Sequence, residues 1–279
     1  MNPHPLKVAL LQMRASTEVA VNIAAVQLGF QQAARDNAAL LVTPEMTSVL
    51  DRRPGALLAK AHTQEDDPSL KIFCDLARQY QMDVLIGSMA IQVEAKRLAN
   101  RSFFISKEGL VVAHYDKIHL FDVNLGEGER YQESARFVAG QEAVLVKGAQ
   151  YALGMTVCYD LRFPQLYHDL ALAGADILTV PSAFTVPTGE AHWHTLLRAR
   201  AIETGCFVLA PAQHGQHEDG RATYGHSLVV NPWGEVVAEK PEGAGVLMAE
   251  LDLSQVQQAR NKLPSLQHTR PYQLKTIES

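Results

Sequence analysis

The chain has 279 residues, of which 47% are hydrophobic and 20% are charged, as in an ordinary globular protein. Its 25 basic and 30 acidic residues give a net charge of −5, which argues against nucleic acid or an anionic membrane as a partner. No segment approaches the roughly 20 apolar residues of a membrane span, and the N-terminus lacks the pattern of an export signal. Three cysteines do not make a disulfide framework, so we expect free thiols in the reducing cytoplasm.

Apolar runs of strand length alternate along the chain with segments at helical spacing. The predicted strands are residues 8–13, 40–44, 83–89, 101–105, 110–115, 142–147, 151–157, 177–181, 207–211, 227–230, 235–239 and 246–251. The predicted helices are residues 22–37, 69–80, 164–173 and 190–204.

This order of elements predicts an α/β fold in which helices cover a mixed sheet system, and the pattern leaves open whether there is one sheet or two. We see no repeat and no linker, so we predict one domain over residues 1–279. The polar tail, residues 252–279, either packs on the body or crosses to a partner subunit.

Three reactive side chains lie at or just past the ends of predicted strands. They are Glu45 in LLVTPEM, Lys117 in HYDKIHLFD and Cys158 in GMTVCYDLRFP. The carboxyl ends of strands are where an α/β sheet presents reactive groups. A carboxylate, an ammonium and a thiol gathered there can act as base, electrophile and nucleophile, which indicates a thiol-dependent acyl-transfer enzyme.

Cys158 is the candidate nucleophile because it follows a strand and precedes a helix that begins near Pro164. The helix N-terminus favours thiolate over thiol, so we expect an activated sulfur. The alternative is that a free cysteine serves as a small buried apolar residue, which fits Cys74 and Cys206 inside regular elements.

Lys117 and Glu45 each have a structural alternative as well. An isolated lysine is usually a solvated surface group, but one close to a thiolate and a substrate carbonyl stabilises a developing oxyanion. A glutamate at a strand end is often a cap or turn residue, but in a partly apolar pocket it can take the thiol proton.

The three segments VTPEM, YDKIHLFD and TVCYDLRFP, in this order, resemble the signature segments of the nitrilase, or carbon–nitrogen hydrolase, superfamily. Further segments resemble its omega-amidase-like branch and, within it, the deaminated-glutathione amidases. These are Ser182-Ala183-Phe184, Thr188-Gly189, HWHTLLRARAIET, YGHSLVVNPWGEVVAE and RPY.

The resemblance implies a four-layer α-β-β-α sandwich that forms a dimer or a larger homo-oligomer, with the C-terminal tail reaching the partner. It implies that Cys158 is the nucleophile, that Glu45 is its general base and that Lys117 stabilises the oxyanion with the backbone N–H of Tyr159. A second glutamate of the family corresponds to Glu133 in YQES, with Glu127 and Glu129 as alternatives. No cofactor is implied.

The sequence also contains candidates for residues that line the substrate pocket. Phe184 and Thr188 follow a strand end and are candidates for the substrate pocket. Arg162 either pairs with Asp160 inside the protein or faces the pocket and receives a substrate carboxylate.

The histidines predict no metal site. His192 and His194 are two apart on a predicted helix and therefore point about 200° apart. His214 and His217 flank a glycine without a carboxylate or cysteine cluster. A Cys–His dyad has no local signature in this chain.

The implied reaction is hydrolysis of deaminated glutathione, a small-molecule amide, to 2-oxoglutarate and cysteinylglycine. The nearest alternative is omega-amidase action on 2-oxoglutaramate or 2-oxosuccinamate, followed by hydrolysis of a nitrile or an N-carbamoyl amine. A non-catalytic binding protein on the same fold is the alternative outside enzymology.

Overall fold

The computed structural model describes residues 5–124 and 130–278. The strands, numbered β1 to β16 in chain order, are Leu6–Gln12, Leu40–Val42, Asp83–Glu94, Arg97–Ile105, Val111–Asp116, Asp122–Asn124, Arg130–Gln132, Val144–Lys147, Ala152–Met155, Ile177–Thr179, Phe207–Ala210, His214–Gln216, Ala222–Tyr224, Ser227–Val230, Val236–Lys240 and Gly245–Leu251. The α-helices, α1 to α6, are Val19–Arg35, Ala56–Lys60, Pro68–Tyr80, Pro164–Leu172, Val186–Thr204 and Ser254–Lys262. Short 3₁₀ helices cover Glu133–Ala135, Cys158–Arg162 and Ser265–His268.

Two six-stranded sheets answer the question that the sequence left open. The first has the order β16-β1-β2-β3-β4-β5 and the second β15-β14-β11-β10-β9-β8. In each sheet three neighbouring central strands are parallel, β1-β2-β3 and β9-β10-β11, and the outer strands are antiparallel. The carboxyl ends of the two parallel sets carry the loops that build the site.

The alternation of side chains along β1 shows how the layers pack. Val8 and Leu10 belong to the core between the two sheets, whereas Ala9 and Leu11 belong to the core beneath α1 and α3. Since successive side chains of a strand point to opposite faces, a strand buried on both faces reads as an unbroken apolar run. Helices α4 and α5 cover the other face of the second sheet, which gives the predicted α-β-β-α sandwich.

The C-terminal segment differs from a uniformly polar tail. Helix α6 buries Val256 and Ala259, and Arg260 donates hydrogen bonds to the carbonyls of Ala175 (2.7 Å) and Thr204 (3.1 Å). This helix was not predicted from the sequence, because α6 is mostly polar and only two of its residues are buried. Residues 269–278 are exposed. None of the helices in the described part of the chain is both long and apolar enough to span a membrane.

Candidate active site

The two sheets contribute opposite walls of one pocket. Glu45 follows β2 and Lys117 follows β5 in the first sheet, while Cys158 follows β9 in the second. The backbone N–H of Cys158 donates to the carbonyl of Pro181 (2.9 Å), just beyond β10. The three strand ends therefore converge as the sequence predicted.

Gly87 lets these loops approach. A Cβ at this position would overlap the carbonyl oxygens of Thr43 and Pro44 and the ring of Pro181. Glycine is therefore required where β3 passes between the loop that carries Glu45 and the loop that holds the backbone of Cys158.

Cys158 itself has a strained backbone. Its φ of +51° lies in the left-handed region, and it begins the 3₁₀ turn Cys158–Arg162 rather than the first turn of α4. A non-glycine residue rarely adopts this conformation, and such residues cluster at functional sites.

Lys117 holds the carboxylates together. Its buried Nζ lies 2.9 Å from Glu45 Oε1 and 2.9 Å from Glu133 Oε2, and the lysine side chain is only 2% exposed. Burial alone would lower the pKa of Lys117, but the charges of Glu133 and Glu45 outweigh it and raise the pKa above its ordinary value. The ammonium therefore stays charged at neutral pH.

Glu45 is held as a carboxylate. Its Oε1 accepts from Lys117 and from Asn100 Nδ2 (3.0 Å), and its Oε2 accepts from the backbone N–H of Ala183 (3.0 Å). Burial would raise the pKa of Glu45, but Lys117 and, to a smaller extent, Cys158 lower it below its ordinary value. Glu45 and Cys158 line the same pocket, so a proton acceptor is available on the side of the thiol.

The pKa of the Cys158 thiol is raised, whereas the helix N-terminus was expected to lower it. Burial and then the negative charge of Glu45 raise the pKa of Cys158, while Lys117 opposes them. The helix that was expected to favour thiolate begins six residues later, at Pro164. The surroundings of Cys158 thus favour the thiol over the thiolate, and those of Glu45 favour the carboxylate.

Glu133 is the second glutamate in contact with Lys117. Its Oε2 also accepts from the backbone N–H of Phe121 (2.6 Å), and its Oε1 accepts from Asn100 Nδ2 (2.9 Å). The alternatives Glu127 and Glu129 lie outside the described residues.

The sequence analysis missed Asn100, which is buried in β4. Its Nδ2 donates to both Glu45 and Glu133, so the amide orientation is fixed, because a flipped amide would turn its oxygen toward two acceptors. Within the described chain the buried Oδ1 has no hydrogen-bond partner, and Asn100 lines the pocket. A polar residue inside the apolar run LANRSFFI was the available signal.

The pocket has a volume of about 420 Å³. The predicted residues Tyr159, Phe184 and Thr188 line it together with Glu45, Lys117, Glu133 and Cys158. It also includes four arginines that were not predicted from the sequence, Arg52, Arg130, Arg136 and Arg221.

Arg162 is not among the lining residues, and its predicted pairing with Asp160 is wrong. Asp160 instead accepts from the hydroxyl of Tyr115 (2.7 Å) and the backbone N–H of Val157 (2.8 Å). The guanidinium of Arg162 lies 5.7 Å from the ring centroid of Phe184 and reaches His192. Stacking on an aromatic ring thus takes the place of the expected ion pair.

One group of side chains could hold a metal, and it lies outside the pocket. Among the described residues, His194, His226 and Glu239 bring their ligand atoms within 4.8 Å of one another. Glu239 Oε1 lies 2.9 Å from His194 Nε2 and 2.6 Å from His226 Nδ1, so these contacts tie α5 to β15. The prediction of no metal remains untested.

Comparisons with known proteins show the family of this chain. A family model described as carbon-nitrogen hydrolase matches residues 7–261. The chain is 38% identical over 268 residues to the deaminated glutathione amidase of Synechocystis, covering 95% of this chain and 98% of that protein. It is 42% identical over 246 residues to the mouse deaminated glutathione amidase. This match covers 86% of this chain and 76% of the mouse protein.

Solved structures show the same fold. The NitFhit protein of C. elegans superposes with a TM-score of 0.88 at 34% identity, over 97% of this chain and 66% of that longer chain. Nit3 of Saccharomyces cerevisiae, a member of the nitrilase superfamily, superposes with a TM-score of 0.85 at 26% identity, over 94% and 95%.

The charge balance at Cys158 generates a prediction about its titration. In the wild type, the rate of iodoacetamide alkylation at Cys158 should keep rising with pH beyond the ordinary thiol pKa of 9.0, because the pKa is raised. Glu45→Gln removes the negative charge and leaves Lys117, so the alkylation profile should move to lower pH. Mass spectrometry of the modified peptide measures both profiles, with Cys74 as the internal reference. An unchanged profile in Glu45→Gln would contradict the assigned charge balance.

Proposed function

The chain belongs to the carbon–nitrogen hydrolase family, and we propose that it cleaves the amide of deaminated glutathione through a thioester on Cys158. The contact of Glu45 with Lys117 at 2.9 Å, in a pocket that Cys158 also lines, is the observation that carries this proposal. It brings a base, a cation and a nucleophile together in a pocket large enough for a small amide. The names of the relatives in Synechocystis and mouse supply the substrate.

In the first step Glu45 takes the thiol proton while Sγ attacks the amide carbon. The carbonyl oxygen becomes an oxyanion that the Lys117 ammonium and the backbone N–H of Tyr159 stabilise. Glu45 then gives the proton to the amide nitrogen, the C–N bond breaks, and the amine leaves. The 2-oxoglutaryl group remains on the sulfur.

In the second step water attacks the thioester carbon. Glu45 accepts a proton from the water, the C–S bond breaks, and the proton returns to the sulfur as the thiol is restored. Glu133 positions Lys117 and the water in this scheme, and Phe184 and Thr188 form the wall beside the acyl group. Each step needs only side chains that the pocket already contains.

The first test concerns the nucleophile. Cys158→Ala should lower turnover by at least about 10³-fold, because no other group in the pocket can form the thioester. Intact-mass spectrometry of the wild type with substrate should show an acyl adduct that maps to Cys158. Cys74→Ala is the matched control and should retain turnover. An active Cys158→Ala protein, or an adduct on Cys206, would refute the assignment.

The second test concerns the substrate. The kcat/KM for deaminated glutathione should exceed that for 2-oxoglutaramate by at least about 10-fold, or about 1.4 kcal/mol, since the two share the acyl half and differ in the leaving half. Release of 2-oxoglutarate measures both. Equal or reversed preference would identify an omega-amidase, whereas turnover of only a nitrile or a carbamoyl amine would place the chain elsewhere in the family.

We further propose a single domain that forms a homodimer in the cytoplasm. The three cysteines are free thiols, as expected in a reducing compartment. Ile202, Trp233 and Leu263 line one groove and are 47–57% exposed, which leaves apolar surface for a second copy. The exposed end of the tail carries Tyr272 and Leu274, which are 91% and 90% exposed and are suited to cover a partner.

Light scattering tests the association. The wild type should show at least twice the chain mass of 30.6 kDa at micromolar concentration. Deletion of residues 269–279 should weaken the dimer, because it removes the exposed apolar side chains and leaves α6 in place. A wild-type mass of a single chain would contradict the proposal.

A further inference from the structure

The pocket wall carries arginines whose charge is not balanced by carboxylates. We call Arg52, Arg136 and Arg221 the arginine cluster. All three line the pocket, and within residues 5–124 and 130–278 none of them forms an ion pair. This is unexpected in a chain whose net charge is −5.

Each acidic side chain of the pocket already has other partners. Glu45 and Glu133 are bound to Lys117, and Asp51 is bound to Arg53 (2.7 Å) and Lys60 (3.3 Å). Asp219 accepts from the backbone N–H groups of Arg52 (2.8 Å) and Arg221 (2.9 Å). Backbone N–H groups do not neutralise Asp219, but the three guanidinium groups of the cluster outnumber this one carboxylate and keep donors for another anion.

Hydrogen bonds hold the cluster in one arrangement. Arg136 Nη2 donates to the carbonyl of Arg52 (2.7 Å), and Arg52 Nε donates to the carbonyl of Asp219 (2.9 Å). These bonds use one N–H of each guanidinium and leave several donors free. Arg136, Arg52 and Asp219 are thus linked through backbone carbonyls, and the backbone N–H of Arg221 joins them through the Asp219 carboxylate (2.9 Å).

Arg221 is the innermost member. Its Nη2 donates to the carbonyl of Ala183, the residue whose N–H binds Glu45. Its guanidinium lies 5.6 Å from the ring centroid of Tyr131, and its buried Nε has no partner in the described part of the chain. A buried donor without an acceptor is costly, which indicates that a ligand supplies the acceptor.

We infer that the arginine cluster is a carboxylate subsite for the leaving half of the substrate, and this inference rests on the proposed function. Deaminated glutathione ends in the carboxylate of its glycine, on the side of the amide that departs as cysteinylglycine. Arg52 is exposed and Arg136 is half-buried, so the cluster faces the open side of the pocket through which that product leaves. The acyl half stays on Cys158, beside Phe184 and Thr188.

Three substrates separate the two halves. The first is deaminated glutathione, and the second is the same molecule with its glycine carboxylate replaced by a neutral carboxamide. The third is 2-oxoglutaramate, which lacks the leaving half. All three release 2-oxoglutarate, so one assay follows them.

Arg136→Gln should lower kcat/KM for deaminated glutathione by about 10–100-fold, as expected for loss of a charge-assisted contact. The loss should fall below about threefold for the carboxamide and for 2-oxoglutaramate, since neither presents the anion. The wild type should itself prefer the carboxylate substrate to the carboxamide by a similar factor. Arg52→Gln should show the same pattern. Arg78→Gln, which removes an exposed arginine paired with Asp75, is the charge-matched control and should change none of the three.

Equal losses on all three substrates would overturn the inference, because the arginines would then serve the acyl half or the catalytic carboxylates. Unchanged kinetics of well-folded Arg136→Gln would overturn it as well, and thermal melting checks the fold. If the wild type releases 2-oxoglutarate from none of the substrates, the proposed function fails. If 2-oxoglutarate is released at a rate that does not depend on the glycine carboxylate, only the proposed subsite is refuted.

Discussion

The buried ammonium of Lys117 is the constraint on which the site depends. A lysine that is 2% exposed is stable only if its charge is paired, and two carboxylates do so here at 2.9 Å. The pairing fixes the ends of β2 and β5 and the Glu133 turn relative to one another. Removing either glutamate would leave Lys117 with one carboxylate instead of two, so Glu45, Lys117 and Glu133 hold the loops together as well as the reactive groups.

Two carboxylates against one ammonium leave a formal excess of one negative charge beside the sulfur. Burial, and then the charge of Glu45, raise the pKa of Cys158 although a lysine is close. The N–H groups of Ala183, Phe121 and Asn100 stabilise the same two carboxylates without adding charge. A thiol that loses its proton only during attack on a carbonyl is also less exposed to oxidation than a standing thiolate.

The architecture brings the base and the nucleophile from different sheets. Glu45 precedes Met46 at φ +57°, and Cys158 has φ +51°, so both reactive residues lie at left-handed bends. The fold therefore supplies proximity that neither sheet could provide alone.

The sequence predicted the strand ends and with them Glu45, Lys117 and Cys158, because local apolar runs determine where strands stop. Glu133 came only from the family resemblance, since nothing in YQES indicates its contact with Lys117. Asn100 and Arg221 were missed because their roles depend on approaches between distant segments, 55 residues for Asn100 and Glu45 and 38 for Arg221 and Ala183. The expected lowering of the Cys158 pKa was missed for the same reason: the burial and the Glu45 charge that raise this pKa come from the tertiary structure.

The excess negative charge of the group formed by Glu45, Lys117 and Glu133 also bears on substrate choice. A substrate with a carboxylate at each end would be repelled by a pocket that contained only Glu45, Lys117 and Glu133. The arginine cluster offsets this repulsion. Arg52 and Arg136 do so from the open side of the pocket, where they leave the negative charge of the base Glu45 in place. Arg221 marks the inner limit of this compensation, because it already contributes to lowering the pKa of Glu45. A positive rim around a negative centre lets an acidic protein accept a dianionic amide while the thiol and its base keep the charges that the reaction needs.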